Sequence, residues 1–124
     1  MVIENHIVDV EVPGPGLYEI TGDLNERLKA LQIESGLMTL FIQHTSASLL
    51  IQENADPSAK RDLEVWLNRL VPENDVIYSH VAEGADDMPA HIKAMLTAVN
   101  LSIPISKSAL VLGTWQGVFL WEHR

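Results

Sequence analysis

The sequence contains no cysteine, few basic residues and no long apolar run, and each absence excludes a class of protein. Without cysteine the chain can form neither a disulfide framework nor a thiolate metal site, so any metal must bind imidazole or oxygen ligands. Eight basic residues against 17 acidic ones give a net charge of -9, which repels nucleic acids and anionic membrane surfaces. We therefore expect no nucleic-acid partner.

The usual signals for membrane insertion and export are also missing. No apolar run approaches the roughly 20 residues of a membrane span. Residues 1–16 carry an early acid and lack the basic and apolar regions of a signal peptide. A chain without cysteine is compatible with a reducing compartment. We expect a cytoplasmic protein with no membrane association.

Alternating and helical patterns are mixed along the chain. The 124 residues, 47% of them hydrophobic, are sufficient for one domain, residues 1–124. Period-two alternation predicts strands at residues 3–12, 37–45 and 76–81 and two or more strands after residue 101. Helical periodicity predicts helices at residues 21–32, 55–71 and 82–96. The order of elements indicates a single α+β unit.

Capping residues and apolar stripes locate the three predicted helices more closely. Asp23, Asp56 and Asp87 are the expected N-caps, and Pro57 directly after Asp56 strengthens that assignment. The inward stripes are expected to comprise Leu63, Trp66, Leu67 and Leu70 in the second helix, and Met88, Ile92, Met95 and Leu96 in the third.

The last predicted strand is apolar on both faces. Val118 and Leu120 lie on one face, and Phe119 and Trp121 lie on the other. Because a single small domain covers only one such face well, the pattern predicts that the chain associates with further copies.

Four histidines lie at the ends of predicted elements, where sheet proteins often gather functional groups. His44 and His80 each end a strand, His91 lies early in the last helix, and His123 lies near the end of the sequence. Three neutral imidazoles and a water would make an open zinc-type site. However, no H-x-x-x-H or H-x-H pair occurs, and taken singly each histidine is more often a half-buried ring bonded to a backbone carbonyl.

Three motifs together resemble the YjbQ-like family of small proteins, described as secondary thiamine-phosphate synthases. They begin at residues 44, 83 and 112 and read HTSASLLIQENADP, EGADDMPAHIK and LGTWQGVFLWEHR. The resemblance implies an α+β fold built as a strongly twisted, mainly antiparallel β-sandwich with two or three helices. It also implies a homotrimer and a metal-associated histidine site.

The resemblance and the motif residues together suggest roles for particular side chains. Glu53 and Asp86 are the predicted catalytic carboxylates, because neither is needed as a helix cap. The expected metal ligands are His44, His80 and His91, with Glu122 and His123 as their neighbours; the expected substrate-binding residues are Thr45, Ser46, Ser48, Gln116 and Arg124.

The implied reaction joins a pyrimidine-methyl diphosphate to a thiazole phosphate and releases pyrophosphate. In this acidic chain a divalent metal, zinc or magnesium, is the expected source of positive charge. Two alternatives remain open: a metal-dependent hydrolase of phosphorylated small molecules, and a non-catalytic trimer that binds a metal or a small anion.

Overall fold

The structure is a computed structural model that describes residues 1–124. It contains three helices: α1 (Thr21–Ala30), α2 (Pro57–Leu70) and α3 (Asp87–Leu96). It contains six strands: β1 (Gly16–Glu19), β2 (Gly36–Phe41), β3 (Ala47–Glu53), β4 (Asn100–Ser106), β5 (Ala109–Leu110) and β6 (Gln116–Glu122). None of the helices combines the length and apolar character needed to cross a membrane.

The strands form two antiparallel sheets of three strands each. The first sheet has the order β1-β6-β3, and the second has the order β2-β4-β5. Consecutive strands β2 and β3 therefore belong to different sheets, and residues 42–46 form the crossover between them. The arrangement confirms the predicted α+β class with antiparallel sheets and two or three helices.

Two apolar cores lie on opposite faces of the first sheet. One core packs α1 and β4 against Leu49 and Val118, and the other packs Leu67 of α2 against Phe119 and Trp121. Both faces of β6 are thus covered within one chain, with Val118 fully buried. The expectation that the two apolar faces of β6 require a second copy was wrong, because α2 of the same chain covers the face that carries Phe119 and Trp121.

One of the three predicted helix caps is present. The Asp56 side chain accepts a hydrogen bond from the Ser58 amide at 2.9 Å, which also lowers the pKa of Asp56. Asp23 is not a cap, because α1 begins two residues earlier, at Thr21. The N-cap position is occupied by Ile20, whose amide donates to the Val118 carbonyl of β6. The prediction for Asp87 was also wrong: it is the first helical residue, and its carboxylate is bonded to other side chains.

The predicted helical stripes were too wide. On α2, Leu67 is buried and Leu63 half-buried, whereas Trp66 and Leu70 are 61% and 52% exposed. On α3 the buried positions are Asp87, Pro89, Ala90 and Ala94, and Met95 and Leu96 face outward. Small residues allow α3 to approach β3 closely, so the inward face of this helix is not its most apolar one.

Two predicted strands do not form. The segment before β1 shows the predicted alternation, with Val8, Val10 and Val12 half-buried, but the backbone of residues 1–15 makes no hydrogen bond to other backbone groups. Residues 76–81 lie in the irregular segment between α2 and α3, and Val76 is almost fully exposed. An alternating pattern marks an extended segment, but a strand also needs a neighbouring edge.

We expect Leu24→Ala and Trp66→Ala to differ sharply in stability. Leu24 is 2% exposed in the core beneath α1, so its truncation should lower the free energy of unfolding by about 3 kcal/mol. Trp66 is mostly exposed, so its truncation should cost no more than about 1 kcal/mol. Urea denaturation of both variants is the measurement, and a larger loss for Trp66→Ala would show that this side chain is buried in solution.

Candidate metal centre

A buried carboxylate and two histidines converge at the start of α3. Asp87 and His91 lie one helical turn apart, so their side chains share a face. His80 reaches the same point from the segment before α3, and its Nε2 lies 2.8 Å from Asp87 Oδ2. His91 Nε2 lies 3.1 Å from the same oxygen. One ligand atom from each of these three residues lies within 4.8 Å of the other two.

Arg124 holds the other side of the Asp87 carboxylate. Its Nη1 donates to Asp87 Oδ1 at 2.9 Å, and its Nε donates to Asp86 Oδ2 at 3.1 Å. Its Nη2 donates to the Glu83 carbonyl at 2.9 Å. The guanidinium is therefore engaged by three acceptor groups around the start of α3 and does not face open solvent as a free phosphate fork.

These contacts account for the shifted pKa values of the charged groups. Burial would raise the pKa of Asp87, but the hydrogen bond from His80 and the charges of a protonated His91 and of Arg124 outweigh burial and lower it. The hydrogen bond from Arg124 lowers the pKa of Asp86, and the same bond raises the pKa of Arg124. Both aspartates are thus held as carboxylates.

The two ring nitrogens of His91 both face oxygen acceptors. Nδ1 lies 3.1 Å from the carbonyl oxygen of Thr45, and Nε2 faces Asp87 Oδ2. A neutral imidazole has a single N–H and can satisfy only one of these oxygens. If Nδ1–H is donated to Thr45, as in many metal-ligating histidines, the lone pair of Nε2 points toward the carboxylate. Two acceptor atoms then face each other, and either a second proton on the ring or a metal cation would remove the repulsion between them. The nitrogen and oxygen atoms of His80, Asp87 and His91 are suitable ligands for such a cation.

His44 has a different hydrogen-bonding pattern. Its Nδ1 accepts the Ser46 amide at 3.1 Å, so a neutral His44 ring carries its proton on Nε2. His44 lies in the 42–46 crossover, next to the Thr45 carbonyl that contacts His91. The convergent set of ligand atoms comprises His80, Asp87 and His91 and does not include His44. The structure therefore brings together two of the three predicted histidine ligands.

His123 forms a separate buried pair with Ser48. The Nε2 of His123 lies 2.9 Å from the Ser48 hydroxyl, and the two residues are 6% and 0% exposed. Burial lowers the pKa of His123 to about 4, and the positive charge of Lys93 contributes to the shift. His123 is thus a neutral core residue whose backbone, bonded to Ser46, helps to hold the crossover.

The remaining predicted site residues are divided between the two ends of the first sheet. Glu122 lies at the end of β6 near Ala47, and Thr45 is exposed in the crossover beside His91. The Ser46 hydroxyl lies 3.1 Å from the His44 ring and is buried. Glu53 pairs with Gln116 at the opposite end of β3, about 20 Å along the strand from Ala47. The structure does not bring Glu53 or Gln116 to the histidine cluster.

The sequence contains a signal for Asp87, although the residue was predicted to be a helix cap. Asp87 and His91 have the i, i+4 spacing that places two ligands on one helical face. A pattern restricted to pairs of histidines does not include this spacing. No comparable signal links His80 or Arg124 to Asp87, because their contact depends on how the segment before α3 folds back.

Two cavities of about 550 Å³ lie beside residues 41–43, and neither is lined by Asp87. One lies between residues 5–10 and residues 39–43 and is lined mainly by apolar side chains such as Leu24, Leu49 and Leu120. The other is more open, and its lining includes His44 and Thr45. The cluster around Asp87 is instead a partly open surface site, with the His80 and His91 side chains 48% and 31% exposed. The chemistry of the side chains, and not cavity size, identifies the candidate site.

The fold and the side chains define a small α+β protein with a cluster of two histidines and one carboxylate. The profile of the UPF0047 protein YjbQ-like family matches residues 7–124, and the chain belongs to this family. It is 48% identical over 118 residues to a UPF0047 protein of Synechocystis sp., and the match covers 95% of this chain and 80% of that protein. It is 46% identical over 110 residues to the UPF0047 protein YjbQ of Salmonella typhimurium, covering 88% and 79%.

Solved structures show the same fold. A conserved hypothetical protein of Thermus thermophilus superposes with a TM-score of 0.81 at 39% identity, covering 94% of this chain and 90% of that one. A YjbQ/UPF0047 family protein of Clostridium acetobutylicum gives a TM-score of 0.79 at 36% identity, covering 86% and 80%. The names of these relatives state no reaction.

We expect His123 to make stability depend on pH. Its pKa in the folded chain, about 4, lies below the ordinary 6.5, so between these values only the unfolded chain takes up the proton. The free energy of unfolding should therefore fall as pH decreases through this window, by about 2 kcal/mol from this residue between pH 7 and pH 5. His123→Gln keeps a partner for Ser48 without the titration.

Urea denaturation of both proteins at the two pH values tests this expectation. The wild type should lose about 2 kcal/mol more than His123→Gln over the interval. Equal losses in the two proteins would show that His123 is not held neutral in the folded chain.

Proposed function

We propose that His80, Asp87 and His91 bind one divalent metal and that the centre acts on a phosphorylated small molecule. The observation that carries the proposal is the His91 ring, whose Nε2 faces the Asp87 carboxylate while its Nδ1 faces the Thr45 carbonyl. A metal held by His91 and Asp87 would satisfy both side chains without a second proton on the ring. This set revises the expected ligands, with Asp87 in the place of His44.

The donor set favours zinc or a similar ion over magnesium. Two imidazole nitrogens and one carboxylate oxygen are ligands typical of catalytic zinc sites, whereas magnesium favours oxygen ligands and retained waters. The partial exposure of His80 and His91 leaves room for a substrate. When bound, such an ion supplies Lewis acidity toward a phosphoryl oxygen.

The chain's own donors beside the cluster support a phosphate-bearing substrate. His44 is exposed and accepts the Ser46 amide at Nδ1, which leaves Nε2–H to donate, and the exposed Thr45 hydroxyl is its neighbour. Both can donate to phosphate oxygens or to a leaving oxygen. Ser46 and Ser48 are less suited to this role, because both are buried with their hydroxyls beside His44 and His123.

The geometry favours hydrolysis of a phosphate ester as the reaction. Release of pyrophosphate from a diphosphate concentrates negative charge, and the nearest guanidinium, Arg124, is already bonded to Asp86, Asp87 and the Glu83 carbonyl. One metal and the two hydrogen-bond donors of His44 and Thr45 suit a single phosphate group better. Thiamine-phosphate synthesis is the second candidate, and the three motifs that resemble the synthase family favour it.

Assembly and location remain predictions from the resemblance and from composition. The homotrimer is still expected, although β6 no longer supplies an independent reason for it. The cytoplasm is still the expected compartment.

The metal centre predicts a specific pattern of metal loss. His80→Ala, His91→Ala and Asp87→Asn should each lose the bound ion, because each removes one of three ligand atoms. His44→Ala should keep it, since the Nδ1 of His44 is occupied by the Ser46 amide. Elemental analysis of protein purified without a His-tag is the measurement. Full metal content in His91→Ala, or loss confined to His44→Ala, would contradict the proposed ligand set.

The two reactions predict different products. Incubation of the metal-loaded protein with simple phosphate monoesters should release inorganic phosphate, and this release should disappear in His91→Ala. If synthesis is the reaction, the pyrimidine diphosphate and the thiazole phosphate together should instead yield thiamine phosphate, with the same loss in the variant. Failure of both assays with metal bound would favour a binding protein without catalysis.

A further inference from the structure

Arg124 is bonded to three groups around the proposed centre. Its guanidinium joins the Asp87 carboxylate, the Asp86 carboxylate and the Glu83 carbonyl. The Asp86 side chain is 44% exposed and makes no helix-capping hydrogen bond. Asp86 therefore serves to hold Arg124, and Arg124 in turn contacts Asp87. A phosphate-binding arginine would present its fork to the site and not to three protein acceptors.

The two oxygens of Asp87 have separate partners because of this contact. Arg124 Nη1 donates to Oδ1 at 2.9 Å, and only Oδ2 faces the histidine nitrogens. Asp87 is 2% exposed, so its carboxylate cannot turn away from these partners toward water. A metal held by His80, His91 and Asp87 would thus find one oxygen of Asp87 free, and not two.

We infer that Arg124 is a positioning residue that makes Asp87 a one-oxygen ligand and thereby sets which metals the centre accepts. The inference rests on the proposed metal centre. Zinc is satisfied by four ligands, of which two nitrogens and one oxygen are present. Manganese and calcium favour more oxygen ligands and often take both oxygens of a carboxylate. By engaging one oxygen of Asp87 and both of Asp86, Arg124 withholds those extra ligands.

The positive charge of Arg124 complicates absolute affinities but not their ratio. A guanidinium near the site repels every divalent cation, so removing it raises all affinities by a similar factor. Freeing the oxygens of Asp86 and Asp87 acts differently, because it favours ions that use many oxygen ligands. The ratio of the manganese to the zinc dissociation constant cancels the shared repulsion and reports the ligand geometry alone.

Two substitutions separate the charge of Arg124 from its shape. Arg124→Lys keeps the charge, but an ammonium lacks the planar fork that reaches Asp86 and Asp87 together. Arg124→Gln removes the charge as well. Arg69→Gln is the matched control, because Arg69 is exposed near the end of α2 and forms no ion pair. Asp86→Asn keeps Arg124 but weakens the ion pair that holds its guanidinium. This variant replaces the Arg124 variants in the test if they do not fold.

The experiment is calorimetric titration of metal-free proteins with zinc and, separately, with manganese, using a competing chelator for tight binding. The ratio of the manganese to the zinc dissociation constant should fall by about tenfold or more in both Arg124 variants, and less in Asp86→Asn. It should stay within about threefold of the wild type in Arg69→Gln. Thermal melts of the metal-free proteins check that each variant is folded.

The outcomes separate this inference from the proposed function. If the wild type binds neither ion at His80, Asp87 and His91, the metal centre itself is wrong. If the wild type binds zinc and the folded Arg124 variants keep the same ratio, Arg124 does not control metal choice. A fall in zinc affinity with an unchanged ratio would likewise overturn the inference, because it would show general support of the fold.

Discussion

The buried carboxylate of Asp87 is the interaction on which this part of the molecule depends. A carboxylate removed from water is costly unless several polar or charged partners surround it, and here the partners come from three separate parts of the chain. His91 lies one turn further along α3, His80 comes from the irregular segment before it, and Arg124 follows β6. The negative charge of Asp87 therefore holds the residues of the candidate site together, and the same charge would attract a metal cation.

The first sheet explains why these segments meet. Strand β6 lies between β1 and β3, and both of its faces are buried by the two cores. The register places Glu122 beside Ala47, so the residues after β6 lie next to the crossover that leads into β3. The amide of His123 is bonded to the Ser46 carbonyl, and the neighbouring Thr45 carbonyl faces His91. A rigid central strand thus brings the arginine and the crossover to the start of α3.

Histidines in this chain have contrasting roles that follow from burial. His123 is enclosed with Ser48, and burial favours its neutral form. His80 and His91 are partly exposed and share a carboxylate, an arrangement that attracts a cation. His44 accepts a backbone amide and keeps an outward N–H. The neighbours of each histidine therefore determine whether it packs in the core, belongs to the proposed metal site or is free to donate a hydrogen bond.

Local patterns in the sequence were sufficient for the fold class, the family motifs, the helix that begins after Asp56, and the choice of His80 and His91 as candidate ligands. These features depend on short-range chemistry: capping, periodicity and the clustering of polar residues at element ends. Tertiary structure decided which side chains reach one another. The sequence favoured Asp87 as a cap, and only the approach of His80 and Arg124 shows that its carboxylate faces inward. Likewise Glu53 and Ser48 lie on the same strand, but the length of β3 separates Glu53 from the cluster. Contacts between residues distant in sequence depend on strand register and on the packing of α3, which no local pattern encodes.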